Sequence, residues 1–286
     1  MQVIATSDKM REYSRKARGE GKSIGFVPTM GFLHEGHLSL VRASRKECDI
    51  TVMSIFVNPA QFSPGEDLGR YPRDLDRDRR LAVEEGVDIM FVPSTAEMYP
   101  PGHSTVVEVE GCLTETLCGS SRPGHFRGVT TVVAKLFNIV VPDKIYFGQK
   151  DAQQAAVIKK MVKDLDIPVE IRVMPIVREF DGLAMSSRNT YLSGDQRLQA
   201  LGLSRSLKRA EEMIADGELF AERIKEQMAL ILKDGKDVRI DYIGIVDGKT
   251  LVPLEWIKDN TLIAVAAFIG ETRLIDNAII DKITLN

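Results

Sequence analysis

The chain has four histidines in 286 residues. Two of them fall in one short motif, Pro28-Thr-Met-Gly-Phe-Leu-His-Glu-Gly-His-Leu38. His34 and His37 are three residues apart, a spacing that puts both imidazoles on one face of a helix's first turn. That turn also presents N–H groups without intrahelical acceptors and the positive end of the helix dipole. Together these features make a cradle for an anion such as a triphosphate. Gly36, with no side chain, lets a phosphate or a flat ring approach the backbone. Gly31-x4-Gly36 has the spacing of a phosphate-binding P-loop, but His37-Leu38 stands where Lys-Ser/Thr is required. The pair is not His-Glu-x-x-His and has no neighbouring cysteine, which argues against zinc. The bland alternative is a helix-capping pair; two of four histidines beside two glycines at a strand-to-helix handover weigh against it.

Three further stretches carry suitable chemistry. In Lys144-Ile-Tyr-Phe-Gly-Gln-Lys-Asp-Ala-Gln-Gln154 a strand again gives way to a helix through a glycine, and Lys150 is a mobile point charge for phosphate. Asp151 reads equally well as a helix N-cap, and Gln154 lies one turn further on. In Asp181-Gly-Leu-Ala-Met-Ser-Ser-Arg-Asn189, the hydroxyls of Ser186 and Ser187 and the guanidinium of Arg188 suit a leaving pyrophosphate; alone, such a tetrapeptide is an ordinary loop. Asn58-Pro-Ala-Gln61 follows an apolar strand, where Asn58 and Gln61 are placed to orient a small polar substrate; the simpler reading is an Asn-Pro turn. Arg122-Pro-Gly-His-Phe-Arg-Gly128 has two arginines and a histidine, Arg122, Arg127 and His125, fit for a pocket or an interface. The run Arg73-Asp-Leu-Asp-Arg-Asp-Arg-Arg80 reads as a solvated helix face, and Trp256 as packing.

The elements that must position these residues follow from periodicity. Strands are expected at 23–27 (stopping at Pro28), 49–57, 87–92, 144–147 and 169–173, and helices at 8–20, 35–47, 73–86, 129–141 and 152–165. The run 49–57 is continuously apolar and β-branched, the signature of a strand covered on both faces. Strands alternating with helices predict an α/β fold with a Rossmann-like, doubly wound parallel sheet. After Pro175 the order changes to two helices, 196–216 and 218–233, then strands at 239–246, 261–268 and 272–280. That order predicts a smaller C-terminal α+β domain with an antiparallel sheet. The expected domains are 1–176 and 177–286.

Composition bounds the class. Charged residues are 28% and hydrophobic residues 44%, as in a globular protein. The 38 basic and 41 acidic residues leave −3, which excludes a polybasic nucleic-acid binder. Cys48, Cys112 and Cys118 are odd in number and have neither zinc nor disulfide spacing. No apolar run is long enough to span a bilayer, and the first ten residues show no signal-peptide pattern. A cytoplasmic protein without a membrane partner is expected.

In order, Pro28–His37, Phe56–Gln61, Arg122–Gly128, Phe147–Asp151 with Gln154, and Met185–Asn189 make a set that closely resembles the pantoate–β-alanine ligases of the nucleotidyl transferase superfamily with the His-x-Gly-His motif. The resemblance covers nearly the whole chain. It implies an ATP- and Mg²⁺-dependent ligase that joins pantoate to β-alanine through a pantoyl adenylate, releasing AMP and pyrophosphate. It further implies a C-terminal lid and a homodimer. ATP is then surrounded by Met30, Gly31, Phe32, Leu33, His34, Glu35, Gly36, His37, Gly148, Gln149, Lys150, Asp151, Val177, Met185, Ser186, Ser187 and Arg188. Gln61 and Gln154, with Pro28, Met30 and Asn58, hold pantoate. His37 takes the family's active-site position, and His34, Lys150, Ser186, Ser187 and Arg188 join it as the catalytic set. The lysine that tRNA synthetases place before Met-Ser is Ala184 here, which leaves Lys150 as the phosphate cation. The magnesium ligands stay open, with Asp78 a candidate. Two other readings remain: a nucleotidyl transferase that stops at a nucleotide-linked product, and a nucleotide-binding regulatory module.

Overall fold

Strands form where β-branched apolar residues cluster, and their side chains alternate between two buried faces. The computed structural model describes residues 1–283, which divide into two compact units. The first comprises Met1–Val109, Pro123–Gln149 and Val157–Val177. Its sheet contains β1 (Gln2–Ile4), β2 (Ile24–Thr29), β3 (Ile50–Ile55), β4 (Ile89–Phe91), β5 (Lys144–Gly148) and β6 (Glu170–Met174). The strand order is β1-β4-β3-β2-β5-β6 and every pairing is parallel. The helices before residue 177, in chain order, are α1 (Ser7–Gly19), α2 (Glu35–Glu47), α3 (Leu75–Glu84), the one-turn α4 (Thr95–Met98), α5 (Cys112–Glu115) and α6 (Cys118–Ser121), then α7 (His125–Val140) and α8 (Ala152–Asp164); α5, α6 and the start of α8 belong to the second unit.

Alternation along each strand builds two cores. Phe26, Val52, Phe91, Ile145 and Phe147 meet α1 and α7 through Met10, Val133 and Phe137. Val27, Met53, Met90 and Tyr146 meet α2 and α3 through Leu38, Val41 and Ala82. Helices on both faces make the sheet doubly wound, as its unbroken apolar runs require. From β2 the chain proceeds outward to β3, whereas from β5 it proceeds outward to β6. The order therefore reverses between β2 and β5, and in such sheets the crevice outside the carboxyl ends of those strands is where ligands bind.

Three elements depart from expectation. β2 runs through Pro28 to Thr29. β5 pairs with it only at Gly25 and Phe26, so Pro28 has a strand on one side only and costs no ladder bond. α7 begins at His125, one turn earlier than its apolar pattern, with Gly124 at φ 80° as N-cap. β1 has three residues, of which only Ile4 is buried, too short for a periodic signal.

The second unit comprises Glu110–Arg122, Lys150–Ala156 and, of the described residues, 178–283. It contains α9 (Gly194–Ala215), α10 (Ala221–Lys233) and an antiparallel sheet of β7 (Val238–Asp247), β8 (Thr261–Ile269) and β9 (Thr272–Ile280), with β8 central. A reciprocal Ser193–Gln196 capping box starts α9. One sheet face packs Ile263, Val265 and Ala267 on Leu203, Leu207, Ile224 and Met228 of α9 and α10. The other packs Val246, Leu262 and Ala264 on Leu117, with Leu113, Ala152 and Ala156 alongside. That second contact explains why the short stretches around 117 and 152 cluster with the C-terminal sheet. A side chain at Gly244 would enter the space Leu117 fills. Trp256, expected in packing, is 59% exposed and rests on Phe220 at 5.2 Å.

Leu117 is buried and seals that face, so Leu117→Ala is expected to lower unfolding free energy by about 2–5 kcal/mol. Urea denaturation checks this; an unchanged midpoint would show that the 110–122 segment does not hold the sheet.

Candidate active site

The histidine motif begins where β2 ends. Thr29 Oγ1 donates to the Ser54 carbonyl at 2.8 Å and accepts from Gly31 N at 3.1 Å. The chain then turns through two left-handed residues, Gly31 at φ 85° and Phe32 at φ 52°. Glycine is needed at 31 for space as well, since a Cβ would sit 2.9 Å from Ile55 Cγ2 and 3.0 Å from Asp78 Oδ2. At Phe32 the left-handed conformation costs about 1–2 kcal/mol. α3 supplies the restraint: the Phe32 amide donates to Asp78 Oδ2 at 2.8 Å and the Leu33 amide to Asp78 Oδ1 at 2.7 Å. Bonds to a charged acceptor contribute about 1.5–3 kcal/mol each, enough to outweigh the strain. Arg77 completes the hold, donating to the Leu33 carbonyl at 2.8 Å with its guanidinium 5.1 Å from the Phe32 ring centre.

Asp78 lies within the run expected to be a solvated face, yet it is 1% exposed. Burial pushes its carboxyl above the usual range, against the pull of the two amides. The helical period explains the error: Asp74 and Asp76 face water, while Asp78 points inward from the same first turns.

His34 is the N-cap of α2, with extended backbone, and its amide donates to His37 Nδ1 at 3.3 Å. The rings stack at 4.0 Å between centroids and 29° between planes. Because Nδ1 of His37 accepts, a neutral ring carries its proton on Nε2, which makes that edge a hydrogen-bond donor. Glu35, between them, is turned aside: its carboxylate pairs with Arg42, which also reaches Glu85 at 2.6 Å. Arg42 holds the Glu35 carboxyl below its ordinary range. The one acidic side chain of the motif is thereby neutralised at the helix end that favours anions.

The Asn58–Gln61 stretch forms a 3₁₀ turn, Pro59–Gln61, capped by Asn58. Asn58 is 1% exposed. Its Nδ2 donates to Gln61 Oε1 and to the Gly128 carbonyl, both at 3.1 Å. Its Oδ1 accepts from Tyr99 OH at 2.8 Å and from Ala60 N at 3.3 Å. Two donors and two lone pairs are the whole capacity of an Asn side chain, so the protein itself uses all of Asn58. Burial pushes the Tyr99 phenol up to about 12, which keeps it a donor. Gln61 Nε2 points at Met30 Sδ, 3.2 Å away. The Arg122–Gly128 motif now has a role: His125 Nδ1 lies 2.8 Å from the Gln61 carbonyl oxygen. A Cβ at Gly128 would penetrate the Ala60 carbonyl. The start of α7 is thus a seat for the Gln61 turn. Beside it, a cavity of about 320 Å³ opens at the carboxyl ends of β3 and β4, lined by Met30, Gly31, Phe56, Asp74, Asp78 and Ser94 among others.

In the second unit, Lys150 lies in the 3₁₀ turn Gln149–Asp151 that leads from β5 into α8. Asn277 Nδ2 donates to its carbonyl at 3.0 Å. Lys150 and Ser186 both line a small cavity with Ala184, Asn189 and Asp276. The loop carrying Ser186 is braced: Asn189 donates to Glu179 at 2.7 Å and to the Ala184 carbonyl at 3.1 Å, and Arg178 pairs with buried Asp276 at 2.6 Å. Ser186 Oγ accepts from Arg188 N at 3.3 Å, and Ser187 is buried. Val177, Met185, Arg188 and Gln154 are half-buried. Gln153, which sequence reasoning passed over, is buried and ties down the Cys118 amide and the carbonyls of Leu113 and Thr116. Each unit therefore brings together part of the expected set: His34, His37, Met30 and Gln61 in the first, Lys150 and Ser186 in the second.

Gly128→Ala should displace the Gln61 turn. The expected outcome is a loss of about 1–3 kcal/mol in stability, the usual cost of overpacking, together with a raised KM for one substrate. Normal denaturation and normal KM would show that α7 does not set that turn.

Comparison with known proteins identifies the family. A pantothenate synthetase of Moorella thermoacetica is 57% identical over 281 residues, covering 98% of this chain and 99% of the relative. One of Thermotoga petrophila is 58% identical over 280 residues, 98% and 100% covered. The crystal structure of pantothenate synthetase from Thermus thermophilus superposes with a TM-score of 0.93 at 47% identity, covering 97% of this chain and 99% of that one. The pantoate–β-alanine ligase of Francisella tularensis, solved as a complex with β,γ-ATP and β-alanine, gives 0.82 at 34% identity, with 99% and 98% covered. The family model described as pantoate–β-alanine ligase matches residues 2–279, and with the histidine turn, the parallel sheet and the full-length matches agreeing, the chain belongs to the pantoate–β-alanine ligase family.

Proposed function

We propose that His34, His37, Lys150, Ser186, Ser187 and Arg188 neutralise the triphosphate in the reaction of this ligase family, the ATP-dependent condensation of pantoate with β-alanine. The observation that carries the reading is the stacked histidine pair at the start of α2, directly after β2 at the strand-order reversal. A carboxylate attacking the α-phosphorus of ATP brings two anions together. The barrier is therefore one of positioning and charge, and no covalent enzyme intermediate is needed. Fixed N–H donors lower that barrier most effectively because they need no reorganisation as charge moves. His37 Nε2–H and the first amides of α2 are such donors. Lys150 and Arg188 supply full positive charge, and the Ser186 and Ser187 hydroxyls donate to oxygens of the leaving pyrophosphate.

Pantoate's carboxylate attacks in line, forming pantoyl adenylate and releasing pyrophosphate. The neutral amine of β-alanine then attacks the acyl carbon and AMP departs. Gln61 and Gln154 hold pantoate against Pro28 and Met30. Asn58, fully engaged within the protein, positions Gln61 rather than touching substrate. Residues Met30–His37, Gly148–Asp151, Val177 and Met185–Arg188 surround ATP. The Francisella enzyme's complex with β,γ-ATP and β-alanine supports taking the same two ligands here.

A Mg²⁺ ion, which the resemblance implies, would supply further positive charge for the triphosphate. Among the described residues no group of three or more potential metal-binding side chains gathers. Asp78 accepts two amide hydrogens, and we assign it to holding the turn rather than to the metal. We further propose a cytoplasmic homodimer, and a second domain, from 177 on, that closes over the adenylate and keeps water from the mixed anhydride. Among the described residues no helix is long and apolar enough to cross a membrane.

His37→Ala or Lys150→Ala should each slow pantoate-dependent ATP–pyrophosphate exchange by at least ~10²-fold, the cost of one electrostatic stabiliser. Gln61→Ala should mainly raise the KM for pantoate. Near-normal exchange in the first two, or an unchanged pantoate KM in the third, would refute these roles. AMP release from ATP and pantoate should depend on added β-alanine.

A further inference from the structure

We infer that Arg77 and Asp78 of α3 are positioning residues for the nucleotide: they preset the turn 31–34 so that His34 and His37 meet the triphosphate without rearrangement. The inference rests on the reading of that histidine pair as the phosphate site. Three polar groups of one tight turn are taken up by two consecutive residues of a helix more than forty positions away. Asp78 takes the amides of Phe32 and Leu33, one on each oxygen, and Arg77 takes the Leu33 carbonyl. The turn contains the two consecutive left-handed residues, Gly31 and Phe32, and left without partners it has no reason to stay in that conformation. Leu33 is fully buried, and the residue after it is the N-cap of α2. Fixing 32 and 33 therefore fixes where α2 starts and where its first amides and imidazoles point.

Charge makes the same case. A buried carboxylate near a phosphate site repels the ligand unless its field is spent locally. Here both oxygens are spent on amides, and Arg77 stands 3.8 Å from Oδ1. The pair contributes geometry to the turn while presenting little net charge to an incoming anion.

The test uses the full chain with two substitutions. Asp78→Asn keeps the shape, but its Nδ2 meets one of the two amides donor to donor. Arg77→Met keeps the buried carboxylate and removes the bond to Leu33, the cation on Phe32 and the positive charge 3.8 Å from Asp78 Oδ1. Both should raise the ATP KM or slow pantoate-dependent pyrophosphate exchange by about tenfold or more, since misplacement by about 1 Å costs up to ~10² in rate. The rise in ATP KM should exceed any rise in pantoate KM, because Gln61 and Gln154 lie on other segments and only Pro28 and Met30 adjoin the turn. Half-activation by Mg²⁺ at saturating ATP should not move. Folded variants with native ATP KM and exchange rate overturn the inference; so does an equal rise in both KM values, which marks a general disturbance. A shifted Mg²⁺ requirement in Asp78→Asn also overturns it, making Asp78 a metal ligand. If Asp78→Asn does not fold, Arg77→Met alone decides. His37→Ala run in parallel separates the levels: normal exchange there refutes the phosphate site itself, whereas impaired exchange there with native Arg77→Met refutes only the positioning role.

Discussion

Two hydrogen bonds into one buried carboxylate hold a strained turn of the first unit. The amides of Phe32 and Leu33 end on Asp78, and three neighbouring features depend on them: the N-cap at His34, the stacked ring of His37, and the direction of the first turn of α2. A helix N-terminus attracts anions wherever it lies. Its amides can stabilise moving charge only if they stay fixed, and here α3 holds the turn that leads into them. Charge-assisted bonds in a low-dielectric setting are strong enough for the task.

The same logic recurs around Gln61. A flexible amide is a poor substrate ligand unless its rotamer is set, and Asn58 gives up its entire bonding capacity to set it. His125 and Gly128 seat the turn from below. In the second unit Asn277 fixes the backbone at Lys150, leaving the mobile ammonium on a defined stem. In each case a buried residue fixes the backbone or rotamer of one proposed to meet substrate, the support that precise sites require.

Much of this was legible in the sequence, for identifiable reasons. Apolar runs such as 49–57 can only be doubly covered strands, and their alternation with helices dictates the parallel sheet; strand order carries no local signal and appears only in the pairing. The histidine pair stood out because the residue is rare in this chain and lies at a strand-to-helix handover. Asp78 did not, because an acidic residue amid Arg and Asp looks solvated until the helix is placed against the 31–34 turn. Nor did the purpose of Arg122–Gly128 show, since a glycine that admits a carbonyl from position 60 is a fact about distant segments. Trp256 misled for the opposite reason: a large aromatic suggests burial, and here it is exposed on Phe220.

The central claim, that the His34–His37 turn receives the triphosphate, is tested most directly by following the imidazole resonances during titration with ATP and Mg²⁺. Four histidines make the spectrum assignable by single substitution. The expected result is that His34 and His37 shift together and saturably while buried His125 holds its position. Saturation with ATP that leaves both His34 and His37 unmoved would contradict the claim.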